Sequence, residues 1–123
     1  MMDIATDRQR GLLRLQLAGF WSPEDFNRFK RTYTQALADL GIAPGQHAIL
    51  VDLREATLQT QALIGDVQAF MANFENKARR IALVAASALA RMQTKRLAIR
   101  TDIVLFATME AAEDWLFDRA AAA

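Results

Sequence analysis

The sequence predicts an α/β fold built on a mixed, mainly parallel five-stranded sheet in ββαβαβαβα order. Three observations carry that reading. The stretch Ala48-Ile-Leu-Val-Asp-Leu-Arg-Glu55 is a near-continuous apolar run that ends in polar residues, as suits a strand covered on both faces. Two later stretches, Arg80-Ile-Ala-Leu-Val-Ala-Ala86 and Asp102-Ile-Val-Leu-Phe-Ala107, repeat the pattern. Between these runs, apolar residues recur every three or four positions, the mark of amphipathic helices.

The chain opens with an antiparallel hairpin over residues 2–18. Met2 to Thr6 suits an edge strand, and Asp7-Arg-Gln-Arg-Gly11 supplies a turn in which Gly11 is free to take a positive φ. From Leu12 to Ala18 the residues alternate. Leu13, Leu15 and Leu17 fall on one face and Arg14 and Gln16 on the other. Ser22-Pro23-Glu24-Asp25 then starts the first helix. Serine caps it, proline gives up an amide that lacks a helical partner, and two acids face the positive end of the dipole. Phe26, Phe29, Tyr33, Leu37 and Leu40 form its apolar stripe, and Gly41 and Pro44 end it near residue 40.

His47 to Leu53 forms the next strand, with Ile49, Val51 and Leu53 on one face and Ala48 and Leu50 on the other. A second helix follows, capped by Thr57 or Thr60, with a stripe of Leu63 or Ile64, Val67, Phe70 or Met71, and Phe74. After the strand at 80–86, Ser87 caps a third helix over roughly 88–99. After the strand at 102–107, Thr108 caps a last helix with Ala112, Trp115 and Leu116 on its inner face. Strands separated by helices are joined by right-handed crossovers, which makes the sheet parallel after its opening hairpin.

A length of 123 residues suits one domain, placed at residues 1–119, with the closing alanines at 120–123 expected to fray. The net charge of +1 gives no global field that would draw nucleic acid or an acidic membrane. Cysteine is absent, which excludes disulfides, thiolate catalysis and cysteine-ligated metal sites. The first residues lack a secretory signal, and no apolar run reaches the ~18 residues of a membrane span. The expectation is a cytoplasmic domain with no membrane span.

Four stretches now carry a resemblance. They are the hairpin running into a Ser-Pro-Glu-capped helix, Ile-Leu-Val-Asp-Leu-Arg (49–54), Arg-Arg-Ile-Ala-Leu-Val-Ala (79–85) and Val-Leu-Phe-Ala-Thr-Met-Glu-Ala-Ala-Glu-Asp-Trp-Leu (104–116). In pattern and element order the chain resembles a STAS domain of the SpoIIAA-like, or STAS/SEC14-type, branch. The resemblance implies a βα superhelix and, in the antagonist branch, a regulatory switch. That switch is a serine in an Asp-Ser-Ser-Gly segment at the start of the second helix, phosphorylated by a partner kinase. Here the segment reads Ala56-Thr-Leu-Gln-Thr-Gln61, with no serine. Thr57 and Thr60 supply the only hydroxyls there, and capping explains both more simply than phosphorylation.

The candidate chemistry is thin. Glycines 11, 19, 41, 45 and 65 build neither a phosphate-cradling loop nor a dinucleotide fingerprint, so no nucleotide cofactor is expected. His47 is the only histidine and reads as a polar loop residue, which rules out a histidine-pair metal site. Asp52, Arg54 and Glu55 form the best charged cluster, read as a carboxylate bonded to loop amides plus an exposed ion pair. From Lys77 to Arg100 the chain carries Lys77, Arg79, Arg80, Arg91, Lys95, Arg96 and Arg100 and no acid. That stretch suits docking to an acidic protein or phosphate group, or a plain solvated surface, better than it suits nucleic acid. Ala48, Leu50, Ala82, Val84, Ala86, Val104 and Phe106 share the second sheet face. It needs cover from a helix, from a second copy in a homodimer, or from a lipid such as SEC14-type relatives hold.

These readings converge on a non-enzymatic, STAS-like interaction or regulatory module with a protein partner and no cofactor. The alternative is a carrier of a small molecule or lipid in an apolar pocket. The working edge is placed at the loops after Leu53, Ala86 and Ala107, with Asp52, Arg54, Thr57, Thr60, Ser87 and Thr108 as its candidate residues.

Overall fold

The computed structural model describes residues 2–43, 45–57, 59–72, 78–97 and 102–117. The hairpin is β1 (Met2–Asp7) and β2 (Leu12–Gly19), followed by α1 (Pro23–Leu40), β3 (Ala48–Ala56) and α2 (Gln61–Ala72). Then come β4 (Arg80–Val84), α3 (Ala88–Thr94) with a 3-10 turn (Lys95–Leu97), β5 (Ile103–Phe106) and α4 (Met109–Leu116). The order is the one the alternation of runs and stripes predicts. The strands lie side by side in chain order, β1 antiparallel to β2 and each later pair parallel.

Register explains the two faces. Leu13, Ile49, Ile81 and Ile103 pair in one row, and Leu15, Val51, Leu83 and Leu105 in another. These rows face α1 and α2, whose Phe26, Phe29, Tyr33, Leu40, Leu63 and Ile64 complete the larger core. Each large side chain fully buried there contributes about 1.5–3 kcal/mol. Phe70 of α2 meets three α1 rings edge-on, with centroids 5.9, 5.8 and 5.3 Å from Phe26, Phe29 and Tyr33. Such edge contacts set the positive rim of one ring against the negative face of the next.

On the opposite face, Leu12, Ala48, Leu50, Ala82 and Val84 meet Ala112 and Leu116 of α4. Alanines on both sides let this short helix seat closely. The cover over this part of the face is α4. Further out on β2 the same face turns polar, and Arg14 pairs there with Glu113 of α4.

The ends of α1 follow the sequence. Ser22 Oγ accepts from the Asp25 amide at 3.1 Å, and the Asp25 carboxylate accepts from the Ser22 amide at 2.8 Å. This reciprocal box satisfies two donors that a helix start leaves open. Gly41 ends the helix at φ 69°, a left-handed conformation that favours glycine.

Other boundaries move. β3 runs on to Ala56 because an irregularity between Gln16 and Ala18 lets Ala18 and Gly19 pair with Glu55 and Ala56. The third helix stops at Thr94 and tightens into the 3-10 turn instead of continuing to 99. Phe74, Lys77, Arg100 and the closing alanines lie outside the described residues.

Candidate functional site

Three of the candidate hydroxyls are caps. Thr60 Oγ1 accepts from the Leu63 amide at 3.1 Å, Ser87 Oγ from the Ala90 amide at 3.1 Å, and Thr108 Oγ1 from the Ala111 amide at 3.2 Å. Each satisfies an amide that the first helical turn leaves open. The choice between Thr57 and Thr60 thus falls to Thr60. Thr57 remains exposed, its amide bonded to the Gly19 carbonyl at 3.3 Å, and its hydroxyl has no partner among the described residues.

Asp52 and Arg54 close on each other. Arg54 donates from Nε to Oδ1 and from Nη2 to Oδ2, both at 2.9 Å, and its amide also donates to Oδ1 at 3.1 Å. The hydrogen-bonded guanidinium holds the buried Asp52 carboxyl below the usual carboxylate range, although burial pulls the other way. A carboxylate so occupied is a poor proton acceptor. Among the described residues no group of three His, Asp or Glu side chains could hold a metal ion.

The sheet divides the candidate residues between its faces. Asp52 lies in the row Gln16, Asp52, Val84, Phe106, whose Phe106 packs on the α4 side, and Thr108 caps α4. Thr57 lines a cavity on the α1–α2 face, alongside Ala90 and Gln93 of the helix that Ser87 caps. All six sit at the carboxyl edge, yet they form two groups.

Gln59 organises the second group, a role with no local signal in the chain. Its side-chain oxygen accepts from the Trp21 amide at 2.9 Å, and its Nε2 donates to the carbonyls of Gly19 at 3.0 Å and Thr57 at 2.7 Å. Its own backbone is clamped in turn. The Gln59 amide donates to Gln93 Oε1 at 2.8 Å, and Gln93 Nε2 donates to the Gln59 carbonyl at 2.7 Å. A primary amide can donate and accept side by side, so each glutamine pairs with backbone as a strand edge does. One residue thereby fastens the β2–α1 loop, the β3–α2 loop and α3. Phe20 stands 61% exposed between two of the fastened residues, and Met92 stands 70% exposed beside Gln93.

Below this knot lies a cavity of about 130 Å³, lined by apolar residues including Trp21, Phe29, Val51, Leu63 and Phe70. Thr57, Gln59 and Gln93 supply its polar lining at the edge. The cavity lies on the α1–α2 face, while the second sheet face has the helical cover that the sequence reading put first.

The structure also overturns the reading of His47 as a polar loop residue. His47 is fully buried, with Nε2 3.2 Å from the Tyr33 hydroxyl. Burial, which disfavours the charged ring, pushes its pKa down. The signal was present: alternation puts 47, 49 and 51 on the face that meets α1, and Tyr33 is the polar member of the α1 stripe.

The long basic stretch separates into parts as well. Arg79 donates to the Leu116 carbonyl at 3.1 Å, and Arg80 lies over the Trp115 ring at 5.0 Å, both at the end of α4. Arg91, Lys95 and Arg96 remain exposed around α3.

The family model described as SpoIIAA-like matches residues 12–117. The chain belongs to the SpoIIAA-like family. The match begins at β2 and ends just past α4, so it takes in both faces of the sheet and the Gln59 knot. No curated protein matches. Among solved structures, this SpoIIAA-like chain is similar to an uncharacterised protein of the DUF3478 family with a SpoIIAA-like fold from Shewanella loihica PV-4. The TM-score is 0.70 at 19% identity, covering 94% of this chain and 92% of that one. It is also similar to the anti-sigma factor antagonist SpoIIAA in its unphosphorylated form, with a TM-score of 0.62 at 12% identity over 100% of both chains. At these identities the likeness is one of fold.

Proposed function

We propose that this SpoIIAA-like domain acts without catalysis, as a protein-interaction or regulatory module whose working surface is the carboxyl edge around Gln59. One observation carries the reading. Phe20 and Met92, the exposed large hydrophobic side chains among the described residues, are chain neighbours of Trp21 and Gln93, two of the residues that Gln59 fastens. Apolar side chains left in water on a firmly held edge are how a domain presents anchors to a partner. The fold of an anti-sigma factor antagonist supports the reading by analogy. Regulation here does not use a switch serine, because the Thr57–Thr60 loop has none.

Cross-linking in the producing organism, followed by mass spectrometry, tests the module. Wild-type protein should capture a defined partner, and F20S/M92S should lose it while keeping its far-ultraviolet circular dichroism and Tm. Recovery of the same partner by both proteins would sink the assignment of the edge. A light-scattering mass distinguishes a second copy of this 13.7 kDa chain from a different partner.

The cavity supports a second reading, a carrier of a small apolar molecule. Its volume is near that of an engineered cavity of about 150 Å³ that accepts benzene, so it suits one ring better than a lipid chain. Native mass spectrometry of freshly purified protein tests it: a bound apolar compound is expected, and a clean apo mass under gentle conditions counts against the carrier.

A further inference from the structure

Met92 does not stand alone on α3. Arg91, Lys95 and Arg96 are all exposed, and none pairs with an acid among the described residues. Lys95 keeps helical dihedrals at φ −57° and ψ −28°, so the helical count extends through it. At ~100° per residue the four side chains span about 140° of the helix surface, with Met92 between Lys95 and Arg96. The opposite side of α3, at Ala90 and Gln93, lines the cavity.

The helix is held firmly for so short a segment. Ser87 caps its start, Gln93 clasps Gln59, and Gln68 of α2 donates to the Arg96 carbonyl at 2.6 Å. On this held helix, three cations that pair with no acid among the described residues surround an exposed methionine, a surface both basic and apolar.

We infer that this surface docks an acidic segment of a partner protein, one that sets an apolar side chain beside its carboxylates. The inference rests on the interaction-module reading and adds the chemistry of the partner. Charge complementarity selects acids: a bound carboxylate meets cations that pair with no acid among the described residues. A lipid surface is the weaker fit. A flat anionic membrane laid on this edge would also meet exposed Glu24, Glu55 and Glu110, which follow β2, lie on β3 and follow β5. A peptide can lie on α3 alone and avoid all three.

The test uses the full chain and a fluorescently labelled synthetic peptide that alternates glutamate and leucine. Wild-type protein should bind it, and the glutamine–leucine counterpart should bind at least about tenfold more weakly. Raising salt to about 0.3 M should weaken the acidic complex by a similar factor, because screening shortens the range of the charges. R91E/K95E/R96E should lose the acidic peptide and gain a lysine–leucine one, and M92S should weaken binding while leaving the salt dependence in place. Tm and circular dichroism confirm that the variants fold. Equal binding of the acidic and glutamine peptides overturns the inference. So does sedimentation with phosphatidylglycerol vesicles in the absence of peptide binding. If F20S/M92S loses the cross-linked partner while R91E/K95E/R96E retains it, the acidic inference fails and the module stands. If wild-type protein captures no partner at all, the module reading is what fails.

Discussion

The Tyr33 hydroxyl lies 3.2 Å from Nε2 of His47, and both side chains are sealed inside the larger core face of the sheet. The contact joins the middle of α1 to the residue that leads into β3. Nδ1 of the same ring has no hydrogen-bond partner among the described residues. A proton added to this ring finds no acceptor for its second N–H, so the folded protein favours the neutral form.

That preference makes stability depend on pH in a defined window. The folded pKa of His47 lies below the ordinary 6.5, so protons bind the unfolded chain more readily. Its contribution is complete above about 6.5 and is lost as pH falls through the lower folded value. Tm should therefore fall between pH 7 and 5, and H47Q should flatten that fall. Asp7, Asp25 and Asp52, whose pKa values are held below 3.8, act only in more acid solution. A decline between pH 7 and 5 that is unchanged in H47Q would remove His47 as its source.

Removing only the phenol oxygen tests what the Tyr33 hydroxyl contributes, its contact with His47 included. Y33F keeps the ring against Phe29 and Phe70 and leaves Nε2 unpaired in the core. The expected cost is about 1–3 kcal/mol in urea unfolding, the range for orphaning a buried polar group. A change within a few tenths of a kcal/mol would mean that the contact contributes nothing net.

Gln59 should matter locally more than globally. Q59A leaves the Trp21 amide and the Gly19 and Thr57 carbonyls without their side-chain partner. Hydrogen exchange at Trp21 should accelerate at least about tenfold, while the β3 amides keep their protection. Uniform acceleration across the sheet would instead mark Gln59 as a determinant of global stability.

Two glycines make a matched pair. Gly11 holds φ at +62°, and a Cβ built there would meet Ile42 Cδ1 at 2.8 Å. The Ile42 methyl can move aside, but the backbone angle cannot become comfortable for alanine, so G11A should destabilise by about 1–2 kcal/mol. Gly65 lies inside α2 with open space around it, and G65A should stabilise by up to about 1 kcal/mol. Thermal unfolding of the pair checks the opposed signs.

Much of the fold was legible because its signals are local. The period of Leu13, Leu15 and Leu17, the Ser22 box and the Gly41 stop each involve residues near one another in the chain. The caps at Thr60, Ser87 and Thr108 were legible for the same reason. What escaped depends on distance. Gln59 acts through residues 34 to 40 positions away, and a glutamine between two threonines carries no local sign of that. The cavity escaped as well, because its lining comes from β2, α1, β3, α2, β4 and α3, which only the folded chain brings together. His47 was misread for a narrower reason: its loop neighbours outweighed its alternation with Ile49 and Val51.

The neighbour-by-neighbour strand arrangement has a consequence for how the molecule is made. Among the described residues, every strand after the first pairs with the strand synthesised just before it, and none is inserted later between two others. As the chain leaves the ribosome, each βα unit finds a finished template edge already waiting. Assembly can proceed in the direction of translation without any segment being held open for a distant one. α4, which follows β5, then covers the face that the strands leave bare.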